Sequence, residues 1–210
     1  LDVLPVLLEK YPNLRGFNVT IPYKQQILGY LTKQSEETQI IGAVNCVKIE
    51  RHSAGCQLIG YNTDTYGFRT ALLRFIPPHI KHSLVLGNGG AAKAIRYTLQ
   101  QLGISSLTVS RTPRQEQEIG YADAGAYLPD YHLIVNTTPL GTWPNTNTYP
   151  LIPYEQLTSR HYLFDLVYNP EITTFMKKGA EAGARVCNGL EMLAGQAEAG
   201  WKIWTDHPYH

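Results

Sequence analysis

Residues 84–92, LVLGNGGAA, run an apolar strand directly into a glycine-rich turn and then into the alanine-rich start of a helix. No other stretch narrows the fold as much. At a junction of this kind Gly87 allows the tight turn, Gly89 lets backbone approach a diphosphate, and Ala92 keeps helix and sheet close. The helix N-terminus, with unpaired N–H groups and the positive end of its dipole, then faces the anion. Taken alone, the same glycines could serve an ordinary turn that needs positive φ.

The rhythm after the junction favours the first alternative. From Ser83 onward SLVLG, AAKAIRYTLQQLG, SLTVSR, HLIVNTTP, YLFDLVY and ARVCNG alternate strand-like and helix-like segments. Such alternation gives an α/β fold with a mainly parallel sheet covered on both faces. The earlier residues are patterned differently. Val3, Leu4, Leu7 and Leu8 have helical spacing, and GFNVTIPYK reads as a short strand that Pro22 ends, opening a helix through QQILGYL. Side-chain alternation sets Asn18 and Thr20 on one face of that strand and Val19 and Ile21 on the other. AVNCVKIE and CQLIGYN form a hairpin around the bend-rich RHSAG, in a register that pairs Cys46 nearer Gly60 than Cys56. A helix from Thr65 to Phe75 carries Phe68, Leu72 and Phe75 on one face and is closed by Pro77 and Pro78; a last helix runs from Leu190 to about Trp204. The expected organisation is a first domain over residues 1–67, joined by the returning segment 189–210, and a nucleotide-type second domain over 68–188.

A net charge of +1 gives no field that would draw nucleic acid or anionic membrane, which points to small-molecule partners. No apolar run approaches the roughly 20 residues of a membrane span, and LDVLPVLLEKYPN lacks the pattern of a signal peptide, so a cytoplasmic protein is expected. The three cysteines are read as free thiols, and the histidines form no metal-ligand spacing, so no metal site is expected.

The strand after the glycine loop points to the dinucleotide. A site for NAD carries an acidic residue about 20 positions on, where it holds the ribose hydroxyls. Here the strand ends in Ser110, Arg111, Thr112, Pro113 and Arg114. Two cations and two hydroxyls suit a 2′-phosphate, which a carboxylate would repel, and NADP is the expected cofactor. Without that context Arg111 and Arg114 are solvated loop residues.

In chain order GFNVTIPYK, IGAVNCV, GYNTDTYGF, LGNGGAAKAI, VSRT, IVNTTPLG, DLVYNP and GLEMLAGQA resemble the shikimate and quinate dehydrogenase family, over nearly the whole chain. The resemblance implies two α/β domains around a deep cleft, the first holding substrate and the second, Rossmann-like, holding NADP. It implies a catalytic pair at Lys24 and Asp64, and substrate contacts from Asn18, Thr20, Asn45, Tyr168 and Gln196. Gly87, Gly89, Gly90 and Ala91 match the diphosphate loop, and Arg111 with Thr112 matches the adenosine phosphate site. Thr137, Thr138 and Pro139 fall on the cofactor's ribose side, Gly189 and Met192 by the nicotinamide. The implied reaction is NADPH-dependent reduction of 3-dehydroshikimate to shikimate, toward aromatic amino acids, by a monomer or homodimer. The family's serine-rich turn, roughly SxSPxxHN, has no counterpart before Asn18, so that turn and a strand of the first sheet are expected to be missing. Ser110 stands where asparagine is common, and Thr142 where methionine is. Two rival expectations are an NAD-dependent quinate or shikimate dehydrogenase, opposed by Arg111 and Arg114, and a non-catalytic nucleotide-binding remnant, opposed by Lys24 and Asp64.

Residue chemistry agrees with the implied roles. A polyhydroxylated acid needs amide and hydroxyl partners, such as Asn18, Thr20, Asn45 and Gln196. Ketone reduction leaves negative charge on oxygen, and a lysine ammonium beside a carboxylate can stabilise that charge and deliver a proton. Each residue alone has a plainer role. Lys24 is then a surface lysine, Asp64 the N-cap of its helix, Asn45 a hairpin cap, Gln196 a solvated side chain, and Tyr168 and Met192 core.

Overall fold

The computed structural model describes residues 1–53 and 55–206. Ala54, in the expected hairpin turn, and residues 207–210, the end of the returning segment, lie outside the described residues. In chain order the elements are α1 (Leu4–Lys10), β1 (Gly16–Asn18), a 3-10 helix (Gln26–Tyr30), β2 (Lys33–Gln34), α2 (Glu36–Ile41), β3 (Cys46–His52), β4 (Gly55–Tyr61) and α3 (Asp64–Phe75). There follow β5 (His82–Leu86), α4 (Gly90–Gln101), β6 (Ser105–Ser110), β7 (Glu118–Gly120), β8 (Leu133–Asn136), β9 (Tyr162–Asp165), α5 (Thr174–Glu181), β10 (Arg185–Cys187) and α6 (Leu190–Thr205).

The strands after Ser83 form a six-stranded sheet in the order β10-β9-β8-β5-β6-β7, parallel throughout. Its central strands are buried on both faces, which is why they read as continuous apolar runs. Successive residues part between two cores. Val85, Val135 and Phe164 pack with Phe68, Leu72, Ile95 and Leu99 on one face, while Leu84, Leu86, Ile134 and Leu163 pack with Leu128 and Phe175 on the other. Each such fully buried large side chain stabilises the fold by on the order of 1.5–3 kcal/mol.

The earlier strands form a separate four-stranded sheet, β1-β3-β4-β2, in which β1 and β4 flank β3 antiparallel and β2 runs parallel to β4. The hairpin is present, with Cys46 opposite Tyr61, one residue past Gly60. Two local expectations fail here. The strand ends at Asn18, since the Val19 N–H turns to Asn45 O and the Tyr23 N–H closes a turn on Thr20 O; Ile21 is 63% exposed instead of facing inward beside Val19. The helix through QQILGYL is a single 3-10 segment, because Leu31 becomes extended and the Thr32 N–H bonds Leu58 O, drawing the chain into the sheet as β2. Tertiary pairing overrides local helical preference there.

Two helices tie the sheets together. Where α3 crosses α6, a Cβ on Gly67 would lie 2.3 Å from Met192 O, and one on Gly195 would lie 3.0 Å from the Gly67 Cα. Backbones touch at this crossing because both side chains are absent. The start of α6 places Met192 in the core with Phe68, while its end donates Trp204 Nε1–H to Val47 O at 3.0 Å on the four-stranded sheet.

Candidate active site

Lys24 and Asp64 lie 40 residues apart in sequence and meet as an ion pair, Nζ to Oδ2 2.5 Å. The Lys24 carbonyl accepts the Val44 N–H at 2.8 Å, which anchors the turn before β3 and brings the side chain toward the end of β4. Asp64 is the first residue of α3, where the helix dipole favours a carboxylate. It is not the cap. Thr63 occupies that position, and the Asp64 carboxylate points away from the helix, accepting from Lys24 on Oδ2 and from Asn45 Nδ2 on Oδ1 at 2.9 Å. The two side chains are only 14% and 8% exposed, so their attraction is weakly screened.

Asn45 is buried and ties the pair to the last helix. Its Oδ1 accepts the Thr63 N–H at 2.7 Å, and its Nδ2 also reaches Thr63 Oγ1 at 3.1 Å and Gln196 Oε1 at 3.4 Å. Gln196 is thus turned inward on α6 and accepts from the Thr63 hydroxyl at 3.3 Å. Thr63 is the member of this cluster that sequence reasoning passed over; its place beside Asp64 in NTD was the available signal. Asn18 and Thr20 are exposed at the end of β1, and Tyr168 is exposed in the loop after β9.

The glycine loop lies directly against the pair. A Cβ on Gly90 would be 3.3 Å from the Lys24 Cβ and 3.7 Å from the Ala43 Cβ, so the start of α4 abuts the turn that carries the lysine. Gly87 has φ +101°, and a Cβ there would lie 2.9 Å from the Thr138 methyl and 3.0 Å from Thr137 Oγ1. Only glycine fits. At Gly89 a Cβ would point into open space, and α4 begins without a side-chain cap, leaving its first N–H groups available to an anion. Thr137 bonds Leu86 O through both its N–H and its hydroxyl, while Pro139 is exposed.

At the end of β6 the Ser110 hydroxyl is buried without a partner, and Arg111, Thr112 and Arg114 are exposed. The Arg114 N–H is held by Glu118 Oε2 at 2.8 Å, which leaves its guanidinium outside that bond. An open glycine, an uncapped helix start and two exposed arginines fit a phosphorylated dinucleotide. Gly189 is buried so tightly that a Cβ would lie 2.2 Å from Leu166 O, and Met192 belongs to the apolar core. Among the described residues no group of three or more His, Cys, Asp or Glu could hold a metal ion, and no helix is long and apolar enough to cross a membrane.

The family model for the shikimate dehydrogenase substrate binding domain matches residues 4–47. The shikimate dehydrogenase (NADP(+)) of Methanococcus maripaludis is 37% identical, over 91% of this chain and 72% of its own. That of Carboxydothermus hydrogenoformans is 38% identical over 92% and 73%. The crystal structure of shikimate 5-dehydrogenase from Thermus thermophilus, in complex with NADP(H) and shikimate, superposes with a TM-score of 0.83 at 33% identity, covering 98% of this chain and 79% of that one.

Proposed function

The chain belongs to the shikimate dehydrogenase family, and on that premise we propose that it reduces 3-dehydroshikimate to shikimate with NADPH, in the supply of aromatic amino acids. The observation that carries this reading is the Lys24–Asp64 pair, whose lysine rises from a turn packed on the start of α4, with the Lys24 Cβ 3.3 Å from where a Gly90 side chain would begin. That packing supports a role for Lys24 as proton donor near the loop that would hold the dinucleotide. NADPH, when bound, supplies the hydride that goes to the substrate's carbonyl carbon.

Lys24 supplies the proton. Its ammonium donates to the carbonyl oxygen as negative charge develops there, and the neutral amine recovers a proton through its exposed side. Asp64 holds that ammonium in place, and Asn45 holds Asp64 by bonding its other oxygen. Such a pair adds little to stability, because desolvation offsets most of the attraction, so its value lies in chemistry. Asn18, Thr20, Asn45, Tyr168 and Gln196 are assigned to the substrate's hydroxyls and the lining of its site. Gly87, Gly89, Gly90 and Ala91 are assigned to the diphosphate, and Ser110, Arg111, Thr112 and Arg114 to the 2′-phosphate. Thr137, Thr138 and Pro139 take the ribose side, with Gly189 and Met192 beneath the nicotinamide. The substrate-binding part is residues 1–67 with 189–210 and the cofactor-binding part 68–188, in a cytoplasmic monomer or homodimer; three unpaired cysteines support that compartment.

Loss of reduced-nicotinamide absorbance in the presence of 3-dehydroshikimate tests the assignment. NADPH should be consumed only when the ketone is present, and NADH should serve at least about tenfold less well, given the worth of charged hydrogen bonds to a phosphate. Protein that binds NADPH yet leaves both reactants unchanged would overturn it.

A further inference from the structure

At the carboxyl edge of the six-stranded sheet lies a carboxylate that this chemistry does not use. Asp165 ends β9 and Asn136 ends β8, side by side in register, and both are fully buried. A buried carboxylate is costly unless its oxygens are bonded, so the destinations of its bonds identify what it holds. Asp165 Oδ1 accepts from Asn136 Nδ2 at 2.9 Å and from the Val167 N–H at 3.0 Å, and Oδ2 accepts from the Thr173 hydroxyl at 2.6 Å. Burial pushes this carboxyl up to about 6, against the downward pull of those three bonds, so it is mostly ionised at neutral pH and accepts from all of them.

Every branch ends on a loop at the carboxyl edge of the sheet. With its amide nitrogen on Asp165, Asn136 turns Oδ1 toward Thr138, accepting from the N–H at 3.0 Å and the hydroxyl at 2.7 Å. Thr138 is thereby fixed against Gly87, whose missing side chain leaves room for its methyl. On the other branch Val167 directly precedes Tyr168, and its carbonyl accepts the Gly189 N–H at 3.1 Å. Thr173 caps α5 by accepting from the Met176 N–H. The two loops also meet directly, the Trp143 N–H donating to Asn169 O at 3.1 Å.

We propose that Asp165 is a positioning residue of the active site, a single buried carboxylate that sets the Thr137–Pro139 loop, through Asn136, and the Tyr168 loop, through Val167, in one fixed geometry. Cofactor and substrate then meet in register. This rests on the functions proposed above for those loops.

Three variants of the protein test it. Asp165→Asn keeps the oxygen that faces Asn136 and Val167, and its new amide donates to the Thr173 oxygen, so catalysis should stay near wild type. Asp165→Ala removes the brace and should raise KM for both NADPH and 3-dehydroshikimate by about tenfold or more, with a smaller fall in kcat because Lys24 and Asp64 are untouched. Asn136→Ala cuts the cofactor branch and should raise KM for NADPH while sparing that for the ketone. Amide hydrogen exchange on the ligand-free protein reads the loops independently of turnover, and the Thr138 and Val167 amides should exchange faster in Asp165→Ala. Cooperatively melting Asp165→Ala with both KM values at wild-type level would overturn the proposal. Should that variant not fold, Asn136→Ala with unchanged NADPH affinity and unchanged Thr138 exchange overturns it instead. Wild-type protein without turnover, whose loops nonetheless loosen in Asp165→Ala, would sink the proposed function and support the brace.

Discussion

A lysine just past the end of a strand is ordinarily a solvated side chain; Lys24 is instead fixed by Asp64 and by the start of α4. If it delivers the proton, Lys24→Ala should lower turnover by at least about a hundredfold, the usual worth of a positioned acid, while weakening shikimate binding much less. Steady-state kinetics with a separate binding titration decide this, and near wild-type turnover would end the mechanism. On the cofactor side, Arg111 and Arg114 are exposed and Ser110 carries a buried, unpartnered hydroxyl. Replacing both arginines with alanine should therefore cost NADPH at least about tenfold in affinity and cost NADH little, since charged hydrogen bonds contribute roughly 1.5–3 kcal/mol each. Equal losses for the two in a fluorescence titration would refute the 2′-phosphate assignment. The meeting of Lys24 and Asp64 was legible because each sits in a motif with its own chemistry. Asp165 was not, because its importance lies in its partner Asn136, on another strand of the sheet, whereas Thr63 offered only its place beside Asp64 in NTD.

Among the elements, those with strong periodicity were read correctly and those created by tertiary pairing were not. The central parallel strands β5, β8 and β9 announce themselves as short apolar runs, because burial on both faces demands it, and β6 and β10 follow from the same strand-and-helix rhythm. Strand β2 is two residues long and exists because β4 offers an edge to Lys33 and Gln34. Helix α2 was passed over although Ser35 caps it, accepting from the Thr38 N–H, ahead of Glu36 and Glu37. The crossing of α3 and α6 was equally hidden, since its signal is two glycines whose contact no spacing reveals. Gly67→Ala should force these helices apart and destabilise the protein by about 1–3 kcal/mol in urea unfolding, as overpacking does. Gly29→Ala, in the 3-10 helix where a Cβ meets nothing within 4 Å, is the control and should stay within about 1 kcal/mol of wild type, on the stabilising side. Two variants of equal stability would mean that the crossing relaxes without cost.

For the whole molecule, the same buried carboxylate that braces the loops should leave a signature in how stability varies with pH. The two sheets are bridged by α3, α6 and the turn of Lys24, and Asp165 lies fully buried at the edge of the larger sheet, with Tyr154 and Cys187 as neighbouring titratable groups. Burial raises its carboxyl from 3.8 to about 6, so between those values the folded protein holds a proton that the unfolded chain has released. Stability falls with rising pH wherever the native state binds more protons. This contribution is therefore fully present below pH 3.8 and lost as pH rises through about 6, a change on the order of 3 kcal/mol at 1.36 kcal/mol per pH unit of displacement. Glu37, also raised by burial, acts in the same sense, so the slope of the wild-type curve alone does not isolate Asp165. Asp165→Asn does, because it removes this titration and keeps the others. The stability of wild type relative to Asp165→Asn, from urea unfolding at a series of pH values, should decline across the window from about pH 4 to pH 7 and level off above it. A difference that does not vary with pH would show that the carboxyl titrates alike in folded and unfolded chains, and a difference that grows with pH would mean that its hydrogen bonds outweigh its burial.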